Sequence, residues 1–343
     1  IVKALEAQGV ELIFGYPGGA NLPFYDELAH APFRHILARH EQGAAHMADG
    51  YARATGKVGV CTATSGPGAT NLVTGIATAF MDSSALVAIT GQVSRHLIGN
   101  DAFQEVDTTG ITMPITKHNY LVQDGDELTR TVAEAFHLAG SARPGPVLID
   151  VPKDVLLEQC TPGDPEPPQL EGYRPTLKGH PGQIKRAAAV IKAALRPVII
   201  VGGGIRTQAS YEALVALAER HEIPVVSTLM GKGAFPNSHP LFLGLYGYHG
   251  RIAANTAITE ADVIIGVATR FGDRSTGSTL HFAPQAKIVH IDIDPAEVGK
   301  NIPALIPIVG DADHILAELV AQLKGATHPD WQARLQRKAE KHH

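Results

Sequence analysis

Glu41 stands where a carboxylate could do proton chemistry. It lies in the run His40-Glu41-Gln42-Gly43-Ala44-Ala45-His46, between a strand-like segment and a Gly/Ala-rich helix. Two glycine turns lie near it in sequence order, Tyr16-Pro17-Gly18-Gly19-Ala20 and Thr64-Ser65-Gly66-Pro67-Gly68-Ala69-Thr70-Asn71. They follow the first and third strand-like segments. In a parallel sheet those are strand carboxyl ends, where ligands bind. Glycine there permits close approach of backbone to ligand and positive φ. Asn71 is expected to open a helical turn and can offer both donor and acceptor. A lone carboxylate among backbone turns suits activation of an organic cofactor better than hydrolysis by side chains alone.

Other chemistries fit less well. A zinc-peptidase helix needs His-Glu-x-x-His, with both histidines on one face. Here His46 follows His40 by six positions, roughly 600° around a helix and so on a different face. No Gly-Lys-Ser/Thr follows either glycine turn, which excludes the phosphate loop. Two plainer readings stay open: Glu41 as a residue favoured by the dipole of the first helical turn, and the glycines as simple chain reversals. Gly202-Gly203-Gly204 follows an apolar strand, but Thr207 stands where the dinucleotide fingerprint needs glycine, so that match is partial.

These residues need elements to position them. Strand-like runs are Leu12-Ile13-Phe14, Arg34-His35-Ile36-Leu37, Val58-Gly59-Val60-Cys61-Thr62, Leu86-Val87-Ala88-Ile89 and Val147-Leu148-Ile149-Asp150-Val151. Several are continuously apolar, as in strands covered on both faces. Helical stretches such as Leu128 to Ala139 separate them, the rhythm of a mostly parallel α/β sheet. Residues 161–182 are rich in proline (Pro162, Pro165, Pro167, Pro168, Pro175, Pro181) and read as an extended linker. A second α/β unit follows, with strands Val198–Val201, Val225–Thr228, Val263–Val267 and Ile288–Ile291, and a last helix from Ala312 to Leu323. The expected division is therefore 1–160, a linker over 161–182, a second domain over 183–325 and a polar tail over 326–343.

The bulk numbers agree with two α/β domains. The chain has 343 residues, 44% hydrophobic and 18% charged, enough for about two cores. A net charge of -5 argues against nucleic acid or an anionic membrane as partner. Apolar runs are strand-sized, far short of the ~20 residues of a membrane span. Cys61 and Cys160 form no metal or redox spacing, and no signal peptide opens the chain, so a reducing, cytoplasmic setting is expected.

Taken together, Tyr-Pro-Gly-Gly-Ala (16–20), His-Glu-Gln-Gly-Ala (40–44), Gly-Tyr-Ala-Arg-Ala-Thr-Gly (50–56) and Thr-Ser-Gly-Pro-Gly-Ala-Thr-Asn (64–71) resemble the pyrimidine-binding domain of thiamine-diphosphate enzymes. Within them the chain is most similar to acetolactate (acetohydroxyacid) synthase catalytic subunits. Asp101-Ala102-Phe103-Gln104-Glu105, Arg143-Pro144-Gly145-Pro146, Pro152-Lys153-Asp154-Val155 and His290-Ile291-Asp292-Ile293-Asp294-Pro295 support the likeness. It covers essentially the whole chain.

The resemblance implies that Glu41 hydrogen-bonds the aminopyrimidine ring of thiamine diphosphate and favours the imino tautomer, which removes the thiazolium C2 proton. It implies cofactor contacts at Tyr16, Pro17, Gly18, Gly19, Pro67, Asn71 and Gln104. Gly19, Ala20, Phe103, Gln104 and Lys153 would lie near substrate. The implied reaction joins pyruvate to a second 2-ketoacid, pyruvate or 2-ketobutyrate, with loss of CO2, in branched-chain amino-acid synthesis.

The same resemblance implies a structural FAD on a Rossmann-like middle domain. Its contacts would be Arg143, Gly202, Gly203, Gly204, Thr228, Leu229, Met230, His249, Arg270, Arg274, Asp292, Ile293 and Asp311. Two departures point to weakened flavin binding. The family's Gly-x-Arg-Phe-Asp-Asp-Arg reads Ala268-Thr269-Arg270-Phe271-Gly272-Asp273-Arg274, and its Gly-Met-His-Gly reads Gly247-Tyr248-His249-Gly250.

Family members also carry a third domain that binds the diphosphate through Mg2+, with a Gly-Asp-Gly signature. No such string occurs, so the Mg2+ ligands are expected in an absent domain and the chain alone is expected to be inactive. A homodimer or higher homo-oligomer and a small regulatory subunit are expected partners. The alternatives are another thiamine-diphosphate enzyme, such as pyruvate oxidase or a 2-ketoacid decarboxylase, or a non-catalytic cofactor-binding fragment.

Overall fold

The computed structural model describes residues 1–161, 163, 168, 170–325 and 327–341. Pro162, Pro165 and Pro167 of the expected linker and the last two residues of the expected tail lie outside the described residues. The chain forms two compact units, Ile1–Tyr173 and Arg174–His343.

The first unit is built on a six-stranded parallel sheet. Its strands are β1 (Leu12–Gly15), β2 (Arg34–Leu37), β3 (Gly59–Ala63), β4 (Leu86–Gln92), β5 (His118–Leu121) and β6 (Pro146–Pro152), in the order β2-β1-β3-β4-β6-β5. Successive residues of a strand point to opposite faces, and both faces are covered here. Val60, Val87 and Val147 pack with the helix Leu128–Gly140. Their neighbours Cys61, Ala88 and Leu148 pack instead with the helices Glu41–Thr55 and Val73–Asp82. That double burial explains the apolar runs read in the sequence.

Two close approaches seat the helix that begins with Glu41. A Cβ on Gly59 would lie 2.1 Å from the Ala48 carbonyl oxygen, and one on Gly75 would lie 2.3 Å from Ala45 Cβ. Only hydrogen at those positions lets strand, helix and neighbouring helix meet so closely.

The second unit repeats the plan. Its strands β7 (Pro197–Val201), β8 (Val225–Ser227), β9 (Phe242–Leu245), β10 (Val263–Val267), β11 (Lys287–Asp292) and β12 (Ile306–Val309) are all parallel, in the order β12-β11-β10-β7-β8-β9. This is the doubly wound order of dinucleotide-binding folds. Ile199, Val201, Ile265 and Ile291 bury against helices on one face, and Val198, Ile200 and Ile264 on the other.

Four expectations change. Strands β5, β9 and β12 were not anticipated. The stretch 326–343, expected as a polar tail, contains the helix Pro329–Lys341, which buries Trp331 and Leu335. Its apolar residues recur at helical spacing among charges, and the Trp331 indole N–H donates to the Pro197 carbonyl at 3.0 Å. Asn71 closes the short helix Pro67–Asn71 instead of opening a helical turn. Within the stretch expected as a linker, Leu170 and Tyr173 pack against the first unit's core, and the Leu177 carbonyl accepts the Asp311 N–H at 2.7 Å. Among the described residues no helix is long and apolar enough to cross a membrane.

Candidate active site

In the first sheet the chain leaves β1 to one side, makes β2, and returns on the other side as β3. The carboxyl ends of β1 and β3 therefore flank a topological switch point, where open α/β sheets bind ligands. The two glycine turns of the sequence are the segments that leave these strands.

Glu41 is the first residue of its helix and is buried, with 9% relative exposure. It is not the cap. His40 takes that position, and its ring Nδ1 accepts the Gln42 N–H at 3.1 Å. The Glu41 carboxylate is free for another task. Asn71 Nδ2 donates to Glu41 Oε2 at 3.0 Å. Glu41 Oε1 has no hydrogen-bond partner among the described residues and faces Gly68, where an added Cβ would sit 3.3 Å away. Glycine at 68 keeps that oxygen uncovered.

Thr64, which sequence reasoning gave no role, joins the turns. Its hydroxyl accepts the Ala20 N–H at 3.1 Å. Its methyl group sits 2.4 Å from where a Cβ on Gly18 would stand and 2.7 Å from one on Gly68. Both glycines are thus needed to pack around one threonine. The turn after β1 is closed further by Asn21, whose Oδ1 accepts the Gly18 N–H at 2.8 Å. The Asn21 Nδ2 atom is buried without a partner among the described residues. The signal for Thr64 was present, a polar residue between a buried strand and a glycine turn.

The second turn is pressed against a third segment. Gly66 has φ +56°, and a Cβ on it would lie 2.6 Å from the Gln104 carbonyl oxygen. Gln104 itself is left-handed at φ 56°. Of the predicted residues, Tyr16, Pro17, Gly18, Gly19, Ala20, Glu41, Pro67, Asn71 and Gln104 are thus gathered at this edge. Tyr16, Gly19, Pro67 and Gln104 are exposed there. Phe103 is 88% exposed. Lys153 follows β6 at the same edge, and its N–H donates to the Gln92 carbonyl at 3.0 Å.

The second unit has its own switch point, between β7 and β10. Gly202–Gly204 leave β7, and Arg270 and Arg274 follow β10. Thr228–Met230 follow β8, His249 follows β9, Asp292–Ile293 end β11 and Asp311 follows β12, all at one sheet edge. The glycines are needed by the chain itself. A Cβ on Gly202 would strike the Ala268 carbonyl oxygen at 1.9 Å, and one on Gly204 the Ala268 Cβ at 2.6 Å. The two acids also have local partners. Asp292 Oδ1 accepts the Asp294 N–H and Asp311 Oδ1 the Asp313 N–H, the latter capping the helix Ala312–Gln322. Burial holds the His290 pKa below the usual histidine range. Its Nδ1 accepts the Gly299 N–H, so Nε2 carries the proton donated to the Thr269 carbonyl at 2.8 Å, fixing the loop after β10. The Ser227 hydroxyl at the end of β8 is buried without a partner among the described residues.

Arg143 is the remaining residue expected at the flavin. It belongs to the first unit and precedes β6, at the amino edge of that sheet, opposite Glu41. Its Nε donates to Ser83 Oγ at 2.8 Å.

Comparison with known proteins agrees with this architecture. Residues 1–111 match the thiamine pyrophosphate enzyme N-terminal TPP binding domain, and residues 184–319 match the thiamine pyrophosphate enzyme central domain. The chain is 58% identical over 328 residues to a probable acetolactate synthase large subunit of Methanocaldococcus jannaschii, covering 94% of this chain and 55% of that protein. It is 57% identical to an acetolactate synthase of Mycobacterium bovis, covering 94% and 53%. It is 52% identical to an acetolactate synthase large subunit of Corynebacterium glutamicum, covering 95% and 52%. The chain spans about half the length of the curated relatives it matches. With two parallel α/β units, a carboxylate at the first switch point and these matches, the chain belongs to the thiamine pyrophosphate enzymes and carries their N-terminal and central domains.

Proposed function

We propose that the first unit holds the aminopyrimidine side of thiamine diphosphate and serves acetolactate formation, the joining of pyruvate to a second 2-ketoacid with loss of CO2. The observation that carries this reading is the Glu41 carboxylate, buried, fixed at one oxygen by Asn71 and open at the other beside Gly68. When bound, the cofactor would supply a carbon nucleophile and the electron sink that decarboxylation needs. Glu41 would share a proton with the pyrimidine ring nitrogen, in a burial that strengthens a charge-assisted hydrogen bond. Asn71 would keep the carboxylate aimed. The turns 16–20 and 66–68 would meet the ring with backbone, Gly19 leaving open space and Gly68 leaving Glu41 Oε1 uncovered. Gln104 and Lys153 would face the substrate's polar groups.

On the second unit, the edge formed by Gly202, Thr228, His249 and Arg270 would take FAD as a structural group, with the orphaned Ser227 hydroxyl as one polar contact. Gly272 and Tyr248 would make that hold weak. The 343-residue chain would bind cofactor without forming acetolactate by itself, since it spans only about half of its relatives, and Mg2+ would be held elsewhere in a longer protein. Self-association, a regulatory partner and a cytoplasmic setting complete the reading.

The test is calorimetric titration of the chain with thiamine pyrophosphate, together with acetolactate assay of a protein of the relatives' full length. Binding lost in Glu41→Gln, with acetolactate formed only by the longer wild-type protein, is expected. Equal binding by wild type and Glu41→Gln would remove the assignment.

A further inference from the structure

Asp150 is a carboxylate set inside the apolar strand β6 and only 1% exposed. Burial pushes its carboxyl up to about 7. Its oxygens are matched to two donors on the neighbouring strand β4: Thr90 Oγ1 donates to Oδ1 at 2.7 Å, and Gln92 Nε2 to Oδ2 at 2.9 Å. The register of the sheet sets Thr90 beside Asp150 and Gln92 beside Pro152.

Gln92 does more than satisfy Asp150. The same Nε2 donates to the Val106 carbonyl at 2.8 Å, and Gln92 Oε1 accepts the Val93 N–H at 2.9 Å. The amide is therefore fully used, and its orientation is fixed by the carboxylate on one side. Val106 ends a tight segment. The Glu105 carboxylate accepts the Gly99 and Ala102 N–H groups, and the Glu105 N–H donates to the Ala102 carbonyl at 3.0 Å. Within it, Asp101 and Gln104 both hold left-handed backbone, which persists only when the surroundings determine it. Gln104 is the residue pressed against Gly66.

We propose that Asp150 is a positioning residue: acting through Gln92, it anchors Val106 and so holds the segment 99–106, with Gln104, against the Gly66–Pro67 turn. That this turn belongs to a cofactor site rests on the reading given under Proposed function; the anchoring itself does not. Asp150 has no hydrogen bond to the Gly66–Pro67 turn or to residues 99–106 among the described residues, although Thr108, two positions past Val106, lies against it. It acts by deciding which way the Gln92 amide faces.

Amide hydrogen exchange on the 343-residue chain without cofactor tests this. Asp150→Asn keeps an acceptor toward Gln92 and can donate to Thr90, whose hydroxyl turns. Asp150→Ala and Gln92→Leu both break the route to Val106. Thr90→Val removes one bond to Asp150 and leaves that route intact. The expected result is faster exchange, by about tenfold or more, at Gly99, Ala102 and Glu105 in Asp150→Ala and Gln92→Leu, with Asp150→Asn and Thr90→Val near wild type. If Asp150→Ala fails to fold, Asp150→Leu, which fills the site without an acceptor, takes its place in the comparison with Asp150→Asn and Gln92→Leu. Unchanged exchange at those amides in Gln92→Leu, or an equal rise in Thr90→Val, would overturn the proposal and leave Asp150 a plain core hydrogen-bond acceptor. Failure of wild type to bind thiamine pyrophosphate would instead sink the functional reading and leave the exchange result standing.

Discussion

Asn71 and Glu41, thirty residues apart, meet through a single 3.0 Å hydrogen bond that occupies one carboxylate oxygen and leaves its twin facing Gly68. The bond divides the labour. On the proposed reading, Glu41 would exchange the proton and Asn71 would set the angle. In a protein of the relatives' full length, Glu41→Gln should slow exchange of the cofactor's C2 proton by about 100-fold or more, the usual scale for loss of a positioned acid or base. Asn71→Ala should slow it by roughly tenfold, since the carboxylate remains but is less well aimed. Quenched-flow NMR of C2 deuteration measures both, and equal exchange rates in wild type and Glu41→Gln would remove the role.

Gly66 cannot carry a side chain. Its φ is +56° and its missing Cβ would stand 2.6 Å from the Gln104 carbonyl oxygen, a backbone atom that cannot swing aside. Gly66→Ala should cost about 2–4 kcal/mol of stability, from backbone strain and overpacking together. Urea unfolding followed by circular dichroism gives the number. The same variant should speed amide exchange at Glu105, because the Gln104 backbone must move.

Asp150 makes stability fall as pH rises. Its carboxyl is raised from the ordinary 3.8 to about 7, chiefly by desolvation, with the charge of Asp107 adding to it. Between those values the folded protein keeps a proton that the unfolded chain has released, so each increment of pH favours unfolding until about pH 7. From pH 5 to pH 8 the loss is roughly 2–3 kcal/mol relative to Asp150→Asn, which does not titrate. His290 acts the other way, since burial lowers its pKa and its contribution is lost in acid. Comparing wild type with Asp150→Asn by urea titration at both pH values isolates the carboxylate. Parallel curves for the two proteins would show that Asp150 is ionised throughout.

Trp331 is the only tryptophan in the chain and lies buried in the second unit. Trp331→Phe removes the indole donor and leaves the Pro197 carbonyl buried without it, at a cost of about 1–3 kcal/mol. Trp331→Ala should cost about 3–5 kcal/mol by opening a cavity beneath the helix Pro329–Lys341. Chemical denaturation monitored by ellipticity tests both values, and a neutral Trp331→Ala would mean that the helix does not close the core.

The interior of each sheet was legible because strands covered on both faces must be apolar throughout, as in Val263–Val267. The strands that escaped notice, β5, β9 and β12, are all sheet edges. His118-Asn119-Tyr120-Leu121 shows no apolar run, and Gly244 and Pro307 interrupt the short apolar stretches of β9 and β12. The glycine turns and Glu41 stood out in the sequence by residue type, although the groups that meet the Glu41 carboxylate, Asn71 and Gly68, come from a turn about thirty residues further on. Thr64 and the group Thr90–Gln92–Asp150 were harder to find. Their roles depend on register between strands, and a sequence does not print register. The tail misled for a related reason: charged residues on one face of the helix Pro329–Lys341 outnumber the two residues that anchor it.

The helix Pro329–Lys341 also sets an order of events during synthesis. The first unit has all its strands by Pro152 and is complete by Tyr173. The second has all six strands by Val309, yet one face of its sheet is finished only by Trp331 and Leu335. A nascent chain that has emerged only to a point between Val309 and Trp331 has a finished first unit and a second unit with bare apolar surface, the state most open to chaperones and to aggregation.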